Sequence, residues 1–155
     1  MRGGMAAAIA ALALVACASG PVRRVSEPAA RIQQLTVATD GSWSVDLRLE
    51  NYSSIPMRFD RVALTLEVAG EGAGTVQAEP KLDVGPESAD VVTVRVTPSV
   101  AGKLAAADAL GSARALPYRL AGTVAATPED DDERTFEIEL RSALSPAPGL
   151  PGVLR

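Results

Sequence analysis

The side chains best suited to chemistry are few in this chain of 155 residues. The sequence contains a single cysteine, Cys17, and no histidine. Ser–His–Asp triads, Cys–His pairs and histidine-based metal sites are therefore excluded. One cysteine also cannot form a disulfide within the chain. What remains is chemistry at the Cys17 thiol and, as a formal alternative, catalysis by carboxylates alone.

The Cys17 thiol lies at the end of an apolar run. Arg2 supplies a positive charge, and the 12 residues from Met5 to Ala16 are apolar. Crossing a bilayer takes about 20 apolar residues, so the run has the length of a signal-peptide core instead. The sequence Leu14-Val15-Ala16-Cys17 resembles the lipobox of bacterial lipoproteins. That resemblance implies a signal peptide over residues 1–16 and acylation of Cys17, for example with palmitate.

Two other interpretations of the N-terminus stay open. One is an ordinary signal peptide with a chance cysteine, and the other is an uncleaved helical anchor, which Gly20-Pro21 and Arg23-Arg24 disfavour. Two acyl chains would hold the protein stably on a bilayer. By resemblance to the lipoprotein sorting rule, Ala18 in place of Asp predicts the outer membrane, facing the periplasm. Residues 17–28 then form a lipidated tether.

The remaining candidate sites are charged or aromatic. Calcium needs six to eight spaced oxygens, which the consecutive acids Asp130 to Glu133 cannot all supply. We therefore expect a solvated hairpin tip there and no metal site. Arg23-Arg24 would contact anionic lipid or lie solvated in the tether. Trp43 could stack on a ligand, but its place at the start of an alternating strand favours the core. The scattered acids Glu67, Glu71 and Glu79 suggest no acid–base pair.

Composition favours a folded β domain without a nucleic-acid partner. Hydrophobic residues make up 47% of the chain and aromatic residues 3%, so Val, Leu, Ile and Ala must build the core. The net charge is −4, whereas nucleic-acid binding usually needs a basic face. We expect no cofactor.

Apolar residues recur with a period of two after Arg31, which is typical of half-buried strands. The clearest segments lie around Leu47, Leu64, Val94, Leu120 and Ile138, which we expect to be buried. Arg48, Thr65 and Glu139 should point outward. Ile32 to Ala38 and Gly74 to Glu79 are weaker strand candidates, which makes seven strands.

Turn residues separate these strands, and one segment breaks the pattern. Asp40-Gly41 is a strong hairpin signal, and Gly122 indicates a bulge or a close-packing point. Ser99 to Ala113 is rich in Ala and Leu, with Leu104, Ala107 and Leu110 near one face, which predicts a short helix. We therefore predict an all-β, seven-stranded antiparallel immunoglobulin-like or fibronectin III-like β-sandwich with one short helix. It spans residues 29–141, and residues 142–155 form an extended C-terminal tail.

One stretch of the chain is similar to a known family. Leu49-Glu50-Asn51-Tyr52-Ser53-Ser54-Ile55-Pro56, followed by Val62 to Leu66 and Gly70, resembles the LEA type 2 domain, also called the water stress and hypersensitive response domain. The Val-rich segment, the helix and Tyr118 to Val124 follow in the family's order. Where the family usually has Asn-Pro-Asn, this chain has Asn51-Tyr52-Ser53. The resemblance implies a β-sandwich with one helix, a link to stress tolerance and no catalytic residues.

These observations favour a membrane-anchored periplasmic lipoprotein with a non-enzymatic domain that protects the cell envelope from stress or binds a partner there. Its expected partners are membrane lipid, reached through acylated Cys17, and an envelope protein. The alternative is an accessory lipoprotein subunit of an envelope assembly or transport machine. Such a subunit would dock a protein by edge-strand addition or through a loop surface.

Overall fold

A computed structural model describes residues 20–155. The predicted signal peptide and Cys17 lie outside the described residues. Within them the chain forms nine strands and one helix. In chain order these are β1 (Ala29–Val37), β2 (Trp43–Asn51), β3 (Met57–Val68), β4 (Glu71–Ala78), β5 (Leu82–Val84), β6 (Ser88–Val96), α1 (Val100–Gly111), β7 (Leu116–Pro128), β8 (Arg134–Leu144) and β9 (Val153–Leu154).

The strands build two open antiparallel sheets that pack face to face. The first sheet has the order β6-β2-β1-β9, and the second has the order β4-β3-β7-β8, with β5 also paired to β3. This confirms the predicted all-β fold with one short helix. The structure has nine strands in its described part instead of seven, and the immunoglobulin or fibronectin III type stays a prediction. Residues 20–155 include no helix long and apolar enough to span a membrane.

The period-two pattern places the core where the sequence predicts it. Successive side chains of a strand point to opposite faces, so one face of each sheet can be apolar while the other stays polar. The five residues predicted as buried are at most 7% exposed: Leu47, Leu64, Val94, Leu120 and Ile138. Thr65 and Glu139 are exposed and Arg48 is half-buried, as their alternate positions require.

Two short strands were not predicted. β5 has three residues, and β9 has two residues that follow Pro151-Gly152. Neither is long enough for an alternating pattern to be recognised. In the segment predicted as an extended tail, β8 continues to Leu144, and Ser145 and Arg155 exchange backbone hydrogen bonds of 2.6 and 2.8 Å. Leu154 of β9 is fully buried in the core.

The predicted helix is present, but it packs through a different face. Ser99 caps it, because its hydroxyl accepts a 3.0 Å hydrogen bond from the Gly102 amide. The buried residues are Gly102, Ala106 and Ala109, whereas Leu104, which we placed on the predicted face, is 67% exposed. The small residues form the buried face because α1 lies too close to β4 for larger side chains to fit between them. A Cβ on Gly102 would stand 3.0 Å from the Ala73 Cβ.

Gly122 is a close-packing point, one of the two roles predicted for it. Its φ of +151° lies in a region that glycine favours, and a Cβ built there would stand 2.2 Å from the Ala63 carbonyl oxygen on β3. Only glycine lets β7 approach β3 this closely.

Candidate functional site

The one strong candidate from the sequence, Cys17, lies three residues before the first described residue, so its lipidation stays a prediction. The structure does show where the chain that follows Cys17 meets the domain. We call this region the N-terminal junction. It consists of residues 22–28 and the two loops they contact, residues 51–56 and 85–87.

Backbone and serine groups hold the first segment of the junction in place. The Arg24 amide donates a 2.8 Å hydrogen bond to the Ser54 hydroxyl, and the Ser54 amide donates a 3.0 Å bond to the Arg24 carbonyl. The Ser54 hydroxyl in turn donates to the Val22 carbonyl at 2.8 Å. Two residues further on, the Ser26 amide donates to the Ser53 hydroxyl at 2.9 Å. The segment predicted as a tether is thus bound to the domain from Val22 onward.

The predicted solvated role of Arg23-Arg24 needs correction, because each arginine binds the protein. The Arg24 guanidinium donates to the Tyr52 carbonyl at 2.9 Å and to the Glu87 carboxylate at 3.1 Å. Arg23 donates to the Glu129 carbonyl. These side chains therefore do not lie along a free tether, and their contact with anionic lipid stays a prediction. The Arg24–Glu87 pair is more than half exposed, so it guides the segment more than it stabilises the fold.

Asn51 organises the junction from inside. It is 1% exposed, and its Nδ2 group donates to the carbonyls of Ile55 at 2.9 Å, Val84 at 3.2 Å and Gly85 at 2.9 Å. Its Oδ1 accepts a 2.9 Å hydrogen bond from the Ser53 amide. Asn51 therefore joins the β2–β3 loop to the β5–β6 loop.

Asp60 is a buried acid at the same end of the sandwich that the sequence analysis missed. It is 1% exposed, and it accepts 2.6 Å hydrogen bonds from Arg58 Nε and Thr127 Oγ1. Lys81 Nζ lies 4.0 Å away. Burial would raise the pKa of Asp60, but the hydrogen bonds from Thr127 and Arg58 and the nearby cations outweigh it and lower the pKa below 3.8. The available signal is the break in alternation at the Phe59–Arg61 bulge of β3.

The acidic run Asp130 to Glu133 forms the exposed turn between β7 and β8, as predicted for a hairpin tip. Two of its carboxylates form ion pairs with arginines. Asp131 accepts a hydrogen bond from Arg134, and the Glu133 carboxylate lies 3.2 Å from the Arg61 guanidinium. Hydrogen bonding from the Asp132 amide and the positive charge of Arg134 lower the pKa of Asp131 below its usual value. Across residues 20–155, no three acidic or cysteine side chains are grouped closely enough to hold a metal ion.

The other predicted residues fall outside any site. Trp43 is 1% exposed and belongs to the core, which confirms the favoured interpretation, and its indole N–H has no hydrogen-bond partner. Glu67 lies 3.5 Å from Arg119. Glu71 begins β4 and Glu79 follows its end, so the length of the strand separates them. The structure therefore separates Glu71 from Glu79 and places Glu67 beside an arginine.

Comparison with known proteins identifies the family to which the chain belongs. The chain is similar to three solved structures: a protein from Archaeoglobus fulgidus (14% identity, 80% of this chain and 98% of that chain covered, TM-score 0.42), a Northeast Structural Genomics Consortium target (12%, 82% and 92%, 0.49) and an Arabidopsis thaliana protein (14%, 81% and 82%, 0.47). No curated protein matches its sequence. Residues 46–142 match the LEA_2 family, described as late embryogenesis abundant protein. Since this match covers more than half of the sequence, the chain belongs to the LEA_2 family.

Proposed function

We propose that this protein is a lipid-anchored LEA_2 domain of the bacterial cell envelope, where it protects against water stress or binds a partner without enzymatic turnover. Family membership supports the coarser part of this proposal, since it suggests a stress-related β domain in a family that is generally non-enzymatic. The anchor, the periplasmic location at the outer membrane and the envelope role are our inference.

One observation carries the anchoring proposal. The only cysteine of the sequence follows an apolar run and stands five residues before Val22, where the chain begins to bind the domain. At about 3.6 Å per residue, the connection from Cys17 to Val22 reaches at most about 18 Å. A lipid on Cys17 would therefore keep the N-terminal junction close to the bilayer surface, and α1, at the opposite end of the strands, away from it.

The proposal is tested by changing the sulfur of Cys17. The Cys17→Ser variant should incorporate no palmitate analogue and should keep its unprocessed mass, because a serine hydroxyl is not a substrate for lipoprotein acylation. Ala18→Ser is the matched control, since it alters the neighbouring residue and keeps the thiol. Metabolic labelling followed by intact mass measurement gives the answer. Label on the Cys17→Ser protein equal to that on the control would refute the anchor.

The same alleles examine the stress role. A deletion strain should recover poorly from drying or osmotic shock, and the Ala18→Ser allele should restore recovery. The Cys17→Ser allele should not, because its domain is not held at the membrane. Full rescue by Cys17→Ser would show that placement at the membrane is irrelevant, and a deletion strain that recovers like wild type would remove the stress role.

A second candidate function, an accessory subunit that docks a partner protein, is favoured by one specific feature. The 11-residue strand β8 is the outermost strand of its sheet. Unpaired edges are the sites at which sheets accept an additional strand.

A further inference from the structure

We propose that the outer edge of β8 binds an extended, basic segment of a partner protein, which adds to the sheet as a further strand. This inference deepens the partner-binding side of the proposed function and does not need the lipid anchor. It rests on three features of the described residues: the unpaired edge of β8, the groove over β8 and its neighbour β7, and the charges that line the groove.

The first feature is the pairing of β8. Its residues pair with β7 from Arg134, opposite Ala126, to Leu144, opposite Leu116. Within residues 20–155 no strand pairs with its other side. Strand β8 lies against β1 of the other sheet, as β4 lies against β6 at the far side of the sandwich, but it forms no strand pairing there. Beside β8, the neighbouring edge of the first sheet is covered by β9 only at Leu35 and Thr36.

The second feature is a groove of about 780 Å³ that lies over the paired strands β7 and β8 and reaches the first half of β8. Residues 135–139 of β8 and residues 121–123 of β7 line it, together with Glu27, which precedes the first strand of the other sheet. Of the three β7 residues, Gly122 contributes no side chain. Phe136 is only half-buried, so its ring offers apolar surface that an added strand would cover.

The third feature is charge. Glu27, Glu137 and Glu139 line the groove, and no lysine or arginine does. Glu139 accepts 3.2 Å hydrogen bonds from Arg119 on β7, whereas Glu27 and Glu137 form no ion pair with any residue in the described part of the chain. Opposite charges on facing strands stabilise their pairing. The segment that fits is therefore extended and has lysine or arginine at alternate positions.

A second copy of this chain fits the groove poorly. In an antiparallel, two-fold pairing of β8 with its own copy centred on residue 137, Glu137 would face Glu137. Centred on Ile138, the same pairing would place Glu137 opposite Glu139. Like charges directly opposite each other destabilise a sheet, so these registers disfavour self-pairing over the groove.

The experiment uses the full chain in detergent micelles and three synthetic peptides as probes. One peptide alternates lysine with valine, the second alternates glutamate with valine, and the third is the lysine peptide with every backbone nitrogen methylated. The lysine peptide should bind and should slow hydrogen exchange of the amides of residues 135–139. The methylated peptide should not bind, because it cannot donate the hydrogen bonds of a strand. The glutamate peptide should not bind, because the groove repels it.

Charge reversal localises the binding. Glu137→Lys and Glu27→Lys should each weaken binding of the lysine peptide by about tenfold. Glu71→Lys, an exposed reversal on β4, should leave it unchanged. The proposal would be overturned if the glutamate peptide or the methylated peptide bound as tightly as the lysine peptide. It would also be overturned if the lysine peptide protected amides away from β8. Peptide-free self-association that protects β8 would overturn it too, because a second copy would then occupy the edge. None of these outcomes depends on whether Cys17 is acylated, so this test and the labelling test fail independently.

Discussion

The two ends of the sandwich are closed by different physical means. At the N-terminal junction, polar groups close the end: buried Asn51 bridges two loops, and Ser53 and Ser54 bind the incoming chain. At the opposite end, α1 covers the opening with apolar and small residues, where Gly102 lies against Ala73 and Trp43. We call this second region the helix end.

The two arrangements respond differently to damage. Hydrogen bonds are directional, and a buried polar group that loses its partner costs free energy without any change in packing. Close packing is sensitive to volume, since adding even one methyl group forces neighbours to move. The junction should therefore be vulnerable to the loss of a single polar side chain, and the helix end to the gain of a single carbon.

The largest effect is expected from Asn51→Ala at the junction. The substitution leaves the carbonyls of Ile55, Val84 and Gly85 without their shared donor and the Ser53 amide without its acceptor. At about 1–3 kcal/mol for a buried group left unpaired, the free energy of unfolding should fall by about 3 kcal/mol. Denaturant unfolding of the chain in detergent measures it.

Tyr52→Phe is the matched control for Asn51→Ala. The Tyr52 side chain is half exposed, and its hydroxyl donates only to the Glu50 carboxylate. Its removal should change the free energy of unfolding by less than about 0.5 kcal/mol. If Asn51→Ala proves as mild as Tyr52→Phe, the loops at the junction are held by their packing and not by the asparagine.

A smaller effect is expected at the helix end, where two glycines of α1 form a matched pair. Alanine at either position should gain up to about 1 kcal/mol of helix propensity. At Gly102 the added Cβ would stand 3.2 Å from both Ala73 Cα and Trp43 Cη2, and such overpacking costs about 1–3 kcal/mol. Gly102→Ala should therefore destabilise by about 1 kcal/mol. Nothing lies within 4 Å of a Cβ at Gly111, so Gly111→Ala should stabilise. Thermal unfolding measures both variants. If Gly102→Ala and Gly111→Ala stabilised the protein equally, the contact between α1 and β4 would be loose.

The ends also differ in how much of them the sequence reveals. The strands and α1 could be predicted because burial imposes a period on the chain, and that period is visible in residues such as Leu64 and Leu120. The buried face of α1 could not be predicted, since the side-chain pattern of the helix favoured the face that contains Leu104. The face was decided by the short distance to Ala73 on β4, and distances between elements leave no periodic signal.

The junction was harder still to predict. Its contacts join Arg24 to Ser54 and Ser53 to Ser26, residues about 30 positions apart in the chain. Serines and arginines in a segment rich in Gly and Pro have the composition of a linker, and no local pattern indicates which partner they find. Asn51 was noticed only through the family resemblance, which could not show that its amide bridges three carbonyls. For Asp60 the only sign of burial is the break in alternation at the bulge of β3, which does not show that the side chain turns inward.

The smallest predicted effect concerns acid, and it sharpens the comparison because the buried acid lies at only one end. The pKa of Asp60 is lowered in the folded protein: burial opposes ionisation, but the hydrogen bonds from Thr127 and Arg58 outweigh that cost. A carboxylate with a depressed folded pKa contributes stability above its unfolded pKa, near 3.8. That contribution is lost as the pH falls below that value towards the folded pKa. At the helix end, the acid whose pKa is lowered is Asp40. It is exposed on a turn, and its carboxylate accepts a hydrogen bond from Ser42.

Hydrogen exchange at pH 6 and pH 3 separates the two ends. On acidification the amides around Asp60 and Thr127 should exchange faster, relative to the intrinsic rate, while those around Gly102 and Ala106 should change less. Asp60→Asn serves as the comparison because its side chain does not titrate. The variant should be less stable than wild type at pH 6, since an amide cannot replace the charge that Arg58 binds, and the difference should shrink at pH 3. A gap between the two proteins that stays constant from pH 6 to pH 3 would mean that Asp60 acts through its shape and not through its charge.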